Sequence, residues 1–141
     1  MPLVRISLRD DTTAETRRAI ADGVHRALVS AIGIPQDDRF QIIEPRPADA
    51  LIYAPQYLGI EHRNVVFVQI ALVRGRSTEL KQALYRAIAD ELEAAGVRRE
   101  DVVITLTENG KEDWSIGNGV AQLLDTDLLE RHGALRPQAS A

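Results

Sequence analysis

The 141-residue chain contains no cysteine. Disulfides, thiolate nucleophiles and thiolate metal sites are therefore excluded, and an intracellular chain needs none of them. Aromatic residues are scarce, at 4%, with a single tryptophan. No apolar run approaches the roughly 20 residues needed to span a bilayer. The start, MPLVRISLRDD, has neither a basic nor an apolar leader segment, so a cytoplasmic chain without membrane contact is expected. No block of like charge stands out. With 17 Lys and Arg against 21 Asp and Glu, the chain has no clustered basic footprint, and nucleic acid is a poor partner. Also missing are a glycine-rich phosphate loop, a G-x-S-x-G elbow, histidines paired at ligand spacing and a cluster of carboxylates. No cofactor and no metal are expected.

What is present is enough for a core: 45% of residues are hydrophobic. The length predicts a single domain over residues 1–141. A domain this small leaves apolar surface to bury against identical subunits. The pattern reads as two similar β-α-β halves, about 2–45 and 64–107, followed by a C-terminal hairpin and tail over 108–141. In the first half, Leu3, Val4, Ile6 and Leu8 form a strand. Thr12 and Glu15 match a T-x-x-E capping box. Ile20, Val24, Leu28 and Ile32 then give one apolar helix face, which Gly33 ends. A connector, Ile34 to Arg39, leads to a short strand through Phe40, Ile42 and Ile43.

The second half repeats this order. Val65–Val73 is the strongest strand signal. Ser77 is the expected N-cap, Leu84, Ile88 and Leu92 make the apolar face, and Gly96 ends the helix. Val102–Leu106 is the last strand. The helices superpose at an offset of 64, Ile20 on Leu84 and Leu28 on Leu92, and the connectors at 63, Gly33 on Gly96. A duplicated strand–helix–strand unit predicts an α+β fold, a four-stranded mixed sheet with both helices on one face. Glu44–Asn64, with three prolines, reads as a loop holding one short strand. Gly110, Gly117 and Gly119 around Trp114 suggest a small hairpin suited to a subunit contact, and Gly133–Ala141 reads as frayed.

Acid–base chemistry has few sources in such a chain. His25 reads as a surface or partly buried helix residue rather than a base, and His62 and His132 are isolated. The second residue offers an alternative. Proline is a small penultimate residue of the type from which Met1 is trimmed, and trimming exposes a secondary amine at the head of a strand. An α-amino group titrates near 7.7–8.0 when unperturbed, where a general acid or base is useful. Such an amine can also condense with an aldehyde to an iminium. Arg74 and Arg76, one residue apart at a strand end, either clamp a carboxylate with paired hydrogen bonds or sit solvated. Asp37 and Asp38 occupy the turn before a strand; capping that turn or pairing with Arg39 suits Asp37 better. Trp114-Ser115-Ile116-Gly117 either walls an apolar pocket or fills a hairpin core.

The ordered set of Pro2-Leu3, Gly33-Ile34-Pro35, Asp37-Asp38-Arg39, Arg74-Gly75-Arg76-Ser77, Glu108-Asn109 and Asp113-Trp114-Ser115-Ile116-Gly117 resembles the tautomerase superfamily, most of all its malonate semialdehyde decarboxylase group. The resemblance runs over about 125 residues, from Pro2 to the neighbourhood of Leu129. It implies a tandem β-α-β fold assembled as a homotrimer. Residue by residue, it implies that Pro2 is the catalytic amine and Asp38 its acidic partner. Arg74 and Arg76 would hold the substrate carboxylate. Trp114, Ile116, Leu123 and Leu128 would line the pocket; Ile116 and Leu123 replace phenylalanines of the decarboxylase group.

The implied reaction is decarboxylation of malonate semialdehyde or a similar 3-oxo acid, with a small carboxylate as substrate. Keto–enol tautomerisation of 2-oxo acids of the phenylpyruvate type is the first alternative. Hydration or dehalogenation of 3-halo acrylates is the second. An assembly or binding module that has lost catalysis is the reading outside enzymes.

Overall fold

In the computed structural model, which describes residues 1–134, the sheet starts at the second residue. Strand β1 spans Pro2–Arg9, with Val4, Ile6 and Leu8 buried and Arg5 exposed on the opposite face. Helix α1 (Ala14–Ile32) and strand β2 (Gln41–Arg46) complete the first unit. Two very short strands follow, β3 (Gln56–Tyr57) and β4 (Ile60–Glu61), paired antiparallel. The second unit is β5 (Val66–Val73), α2 (Thr78–Ala94) and β6 (Val102–Asn109). A last short helix, α3, covers Thr126–Arg131.

The main sheet has the order β2-β1-β5-β6. Each outer strand runs parallel to its inner neighbour, and the two inner strands are antiparallel. The expected four-stranded mixed sheet is therefore present, and its register carries the repeat. Val4 pairs with Gln41 as Val68 pairs with Ile104, which preserves both offsets seen in the sequence. The N-caps correspond too. Thr13 accepts from the Thr16 amide and Ser77 from the Leu80 amide.

Both helices cover one face of the sheet. Ile20, Val24, Leu28 and Ile32 of α1 and Leu84, Ile88 and Leu92 of α2 are each no more than 2% exposed and join Ile6, Val68 and Ile70 in the core. Gly23 lets the helices approach closely, since a Cβ there would lie 3.0 Å from Glu91 Cβ. One turn along, Arg26 Nη2 donates to Glu91 Oε2 at 2.8 Å, so the contact carries an ion pair at its rim.

Several local expectations are corrected. Thr12 does not cap α1. Its amide donates back to Arg9 O in the turn after β1, and Thr13 takes the cap. Glu15 then stands one position too early to reach back to the cap amide, and serves the helix dipole instead. The loop between the units holds two short strands rather than one. β2 also runs further than expected, through Pro45, which is tolerated because β2 is an edge strand. The segment after Asn109 is not a hairpin: single 3₁₀ turns at Lys111–Asp113 and Gln122–Leu124 lead into α3. Asp125 caps α3 through the Leu128 amide, a local helix signal that overrides the turn-forming glycines. Of the tail expected to fray, Gly133 and Ala134 close α3, with the Ala134 amide donating to Leu129 O at 2.8 Å; the remainder, 135–141, lies outside the described residues.

Leu84 is fully buried between helix and sheet. Leu84→Ala is expected to lower the free energy of unfolding by ~2–5 kcal/mol. Urea denaturation checks this, and a change under ~1 kcal/mol would contradict the packing described.

Candidate active site

The connector between α1 and β2 is held at several points. Gly33 adopts the left-handed conformation, φ 73°, which a side chain would strain, and its amide donates to Val29 O. The Ile34 amide returns to Leu28 O, and the Asp38 amide closes a turn onto Pro35 O at 3.0 Å. His25, expected at or near the surface, is only 3% exposed, and its Nε2 contacts Gln36 O at 2.8 Å. It is a tether between helix and connector, which explains a histidine on an otherwise apolar face. Arg39 pairs not with Asp37 but with Asp22 on α1, Nη2 to Oδ1 at 2.6 Å, and its Nε donates to Gln41 Oε1. That leaves Asp37 exposed in the turn. Finally, the Val4 amide donates to Phe40 O at 3.0 Å, which registers the end of the connector against β1.

These constraints bring Asp38 to the amino end of the chain. The Met1 amino nitrogen lies 3.3 Å from Asp38 Oδ2, both side chains being largely buried. Pro2 is buried as the first residue of a central strand, paired with Leu72 of β5. The second oxygen of Asp38, Oδ1, is buried and has no hydrogen-bond partner. Across the same cavity stands Arg76. Its Nη1 donates to Val73 O at 2.9 Å, while its Nε is buried without a partner. Burial pushes the Arg76 guanidinium down from its ordinary range, opposed by the carboxylates of Glu108 and Asp38. Arginine does not give up its proton in a protein. The half-buried guanidinium therefore keeps its charge in the wall of the cavity.

The cavity shared by Asp38 and Arg76 has a volume of about 580 Å³. Of the residues expected from sequence, Ile116, Leu123 and Leu128 line it together with these two. Trp114 lines a neighbouring cavity of about 470 Å³ with Leu3 and Ala71, its Nε1 donating to Asn109 Oδ1 at 2.7 Å. Met1, Phe40 and Ile116 border both cavities, so the amino terminus sits where they meet. Arg74 is placed differently. It is exposed, outside the walls of either cavity, because the chain turns at Gly75, φ 130°, and the two arginines do not continue one extended strand. Lys111, Leu129 and His132 line the larger cavity and were not anticipated. The spacing of Leu128, Leu129 and His132 on the Asp125-capped helix was the available signal for the last two. Among the described residues, no group of three or more His, Asp or Glu is placed to hold a metal ion, and no helix is long and apolar enough to cross a membrane.

The duplicated β-α-β sheet, with Asp38 and Arg76 in one cavity beside the amino end of β1, agrees with the similarities of the chain. Two family models, each described as tautomerase enzyme, match residues 2–60 and 38–117. The chain is 38% identical over 127 residues to the probable tautomerase YusQ of Bacillus subtilis (strain 168), covering 89% of this chain and all of the relative. Among solved structures, FG41 malonate semialdehyde decarboxylase, inhibited by 3-bromopropiolate, superposes with a TM-score of 0.85 at 41% identity, covering 89% of this chain and 96% of that one. A fused 4-OT described as a symmetric trimer superposes at 0.73 with 26% identity, over 87% and 98% of the two chains. The chain belongs to the tautomerase superfamily, and within it resembles the malonate semialdehyde decarboxylases.

The Arg39 hydrogen bond holds the Asp22 carboxyl below its ordinary range, helped by the charges of Arg18 and Arg26. A carboxyl whose pKa is lowered on folding stabilises the protein above its unfolded value, near 3.9, and that contribution is lost as pH falls through the folded value. Asp22 is partly exposed, so the effect is modest. Asp22→Asn is expected to cost up to ~1 kcal/mol at pH 7. The gap from wild type should close on acidification below about pH 4. Denaturation at both pH values checks it, and a gap that widens in acid would contradict the assignment.

Proposed function

We propose that the chain is an amino-terminal-proline enzyme that decarboxylates a small 3-oxo acid such as malonate semialdehyde. The observation that carries this reading is the placement of Asp38 Oδ2 3.3 Å from the terminal amino nitrogen, in one cavity with the partnerless Nε of Arg76. The 41% identity to a malonate semialdehyde decarboxylase supports it. Removal of Met1 transfers the terminal amine to Pro2. Asp38 then favours the protonated amine, whereas the positive charge of Arg76 opposes it.

In the proposed reaction Arg76 binds the substrate carboxylate and Pro2, as the cationic amine, donates a hydrogen bond to the carbonyl oxygen. The bond between the carboxylate carbon and C2 breaks, and its electron pair passes through C2 to the carbonyl oxygen. Carbon dioxide leaves, and C2 takes up a proton to give acetaldehyde. Fixed charges aimed at the developing enolate supply the acceleration. An iminium between Pro2 and the aldehyde would serve as the same electron sink. Ile116, Leu123 and Leu128 wall the site and Trp114 the adjoining cavity, while Arg74 is exposed outside the walls of both.

Keto–enol tautomerisation of a 2-oxo acid is the second reading, favoured by the relative described as a probable tautomerase. There Pro2 must be neutral to carry the proton. Homotrimeric assembly is proposed from the trimeric fused 4-OT and from the exposed apolar residues Ile52, Tyr57 and Leu58. A cytoplasmic location is proposed from the lack of cysteine.

Mature protein lacking Met1 by intact mass should decarboxylate malonate semialdehyde. Pro2→Ala and Arg76→Ala should each lower kcat/KM by about 10²-fold or more. Equal turnover by wild type and Pro2→Ala would remove Pro2 from the mechanism. A rate that falls as Pro2 deprotonates is expected for decarboxylation; a rate that rises instead indicates the tautomerase.

A further inference from the structure

The volume behind Arg76 exceeds what malonate semialdehyde fills. At the ~30 Å³ that one water-sized heavy atom takes up in a liquid, its six heavy atoms need about 180 Å³. The cavity offers about 580 Å³ before Met1 is removed, since Met1 is one of its walls. Asp38 and Arg76 stand in its wall, each with one buried polar atom that has no partner, Oδ1 and Nε. Asp37, Lys111, Asn118, Gln122 and His132 also border it, and the aliphatic part of the wall is formed by Ile34, Val73, Ile116, Leu123, Leu128 and Leu129. Water against that aliphatic part finds few hydrogen-bond partners, and an apolar tail gains by replacing it.

We infer that the substrate is a 3-oxo acid with an aliphatic tail on the carbonyl carbon, of about six to eight carbons in all. Its carboxylate pairs with Arg76 and its tail lies against Leu123, Leu128 and Ile116. Ile116, Leu123, Leu128 and Leu129 are branched aliphatic side chains, Phe40 borders both cavities and the tryptophan lies in the other one, which favours an alkyl over an aryl tail. This deepens the reading above, on which it rests for the carboxylate at Arg76 and the oxo group beside Pro2. The balance is unchanged: the acid takes up one proton, loses carbon dioxide and leaves a methyl ketone in place of acetaldehyde.

Binding of unreactive acids separates the tail from the chemistry. Propionate, hexanoate and octanoate are titrated calorimetrically into the mature protein. Each buried methylene should tighten binding about fourfold, so octanoate should bind a hundredfold or more tighter than propionate. Leu123→Phe, which shortens the cavity, should narrow the octanoate-to-propionate ratio at least tenfold. In turnover, kcat/KM for 3-oxooctanoate should exceed that for malonate semialdehyde tenfold or more. Affinities within threefold of one another, or a gradient that Leu123→Phe leaves intact, overturn the inference. If malonate semialdehyde is decarboxylated but the acids bind alike, the tail assignment alone fails. If the gradient is present without Pro2-dependent decarboxylation, the proposed reaction fails and the assignment of the tail is supported.

Discussion

The site depends on the hydrogen bonding that holds the head of β1. Pro2 already belongs to a central strand and pairs with Leu72, so the amino end of the chain has the positional definition of a sheet residue. Amino termini are ordinarily among the loosest parts of a protein. Here Pro2 is held by β5, and the Met1 nitrogen before it lies 3.3 Å from Asp38 on the connector. An amine held in this way can have its charge set by neighbours, because the distances to those neighbours are themselves fixed.

The connector is rigid for reasons that lie in α1. Gly33 ends the helix by turning the chain back, His25 holds the Gln36 carbonyl, and Asp22 takes Arg39. Two side chains on one helix and the glycine that ends it thus define a turn of a few residues, and the helix itself is fixed by Val24 and Leu28 in the core. The second unit contributes Arg76 by a similar logic. β5 delivers the chain to the rim, Gly75 turns it, and Arg76 folds back over the Val73 carbonyl. The duplicated fold brings Asp38 from one half and Arg76 from the other to a single cavity. Partial burial there costs both groups solvation.

Much of this was legible in the sequence because it is periodic. Four-residue spacing of Ile20, Val24 and Leu28, repeated in Leu84, Ile88 and Leu92, identified both helices and their inner faces. Alternation in Val4, Ile6 and Leu8 identified β1. Less regular signals misled. Thr12 and Thr13 are adjacent candidates for one cap, and the choice depends on which amide the turn after β1 uses. Glycines after Asn109 suggested a hairpin, whereas Asp125 nucleates a helix there. Arg74 and Arg76 looked equivalent until the positive φ of Gly75 separated them. His25 shows the limit most clearly, since its partner is a backbone carbonyl and no side-chain pattern announces it. Lys111 and His132 reach the cavity only through the path of the C-terminal segment.

The central claim is that Pro2 carries a titrating amine governed by Asp38. NMR titration of the isotopically labelled Pro2 nitrogen, in wild type and in Asp38→Asn, measures this directly. The account predicts a secondary-amine transition in both proteins, moved to lower pH when the carboxylate is removed. A Pro2 nitrogen that does not titrate, or a transition that Asp38→Asn leaves unmoved, would contradict it.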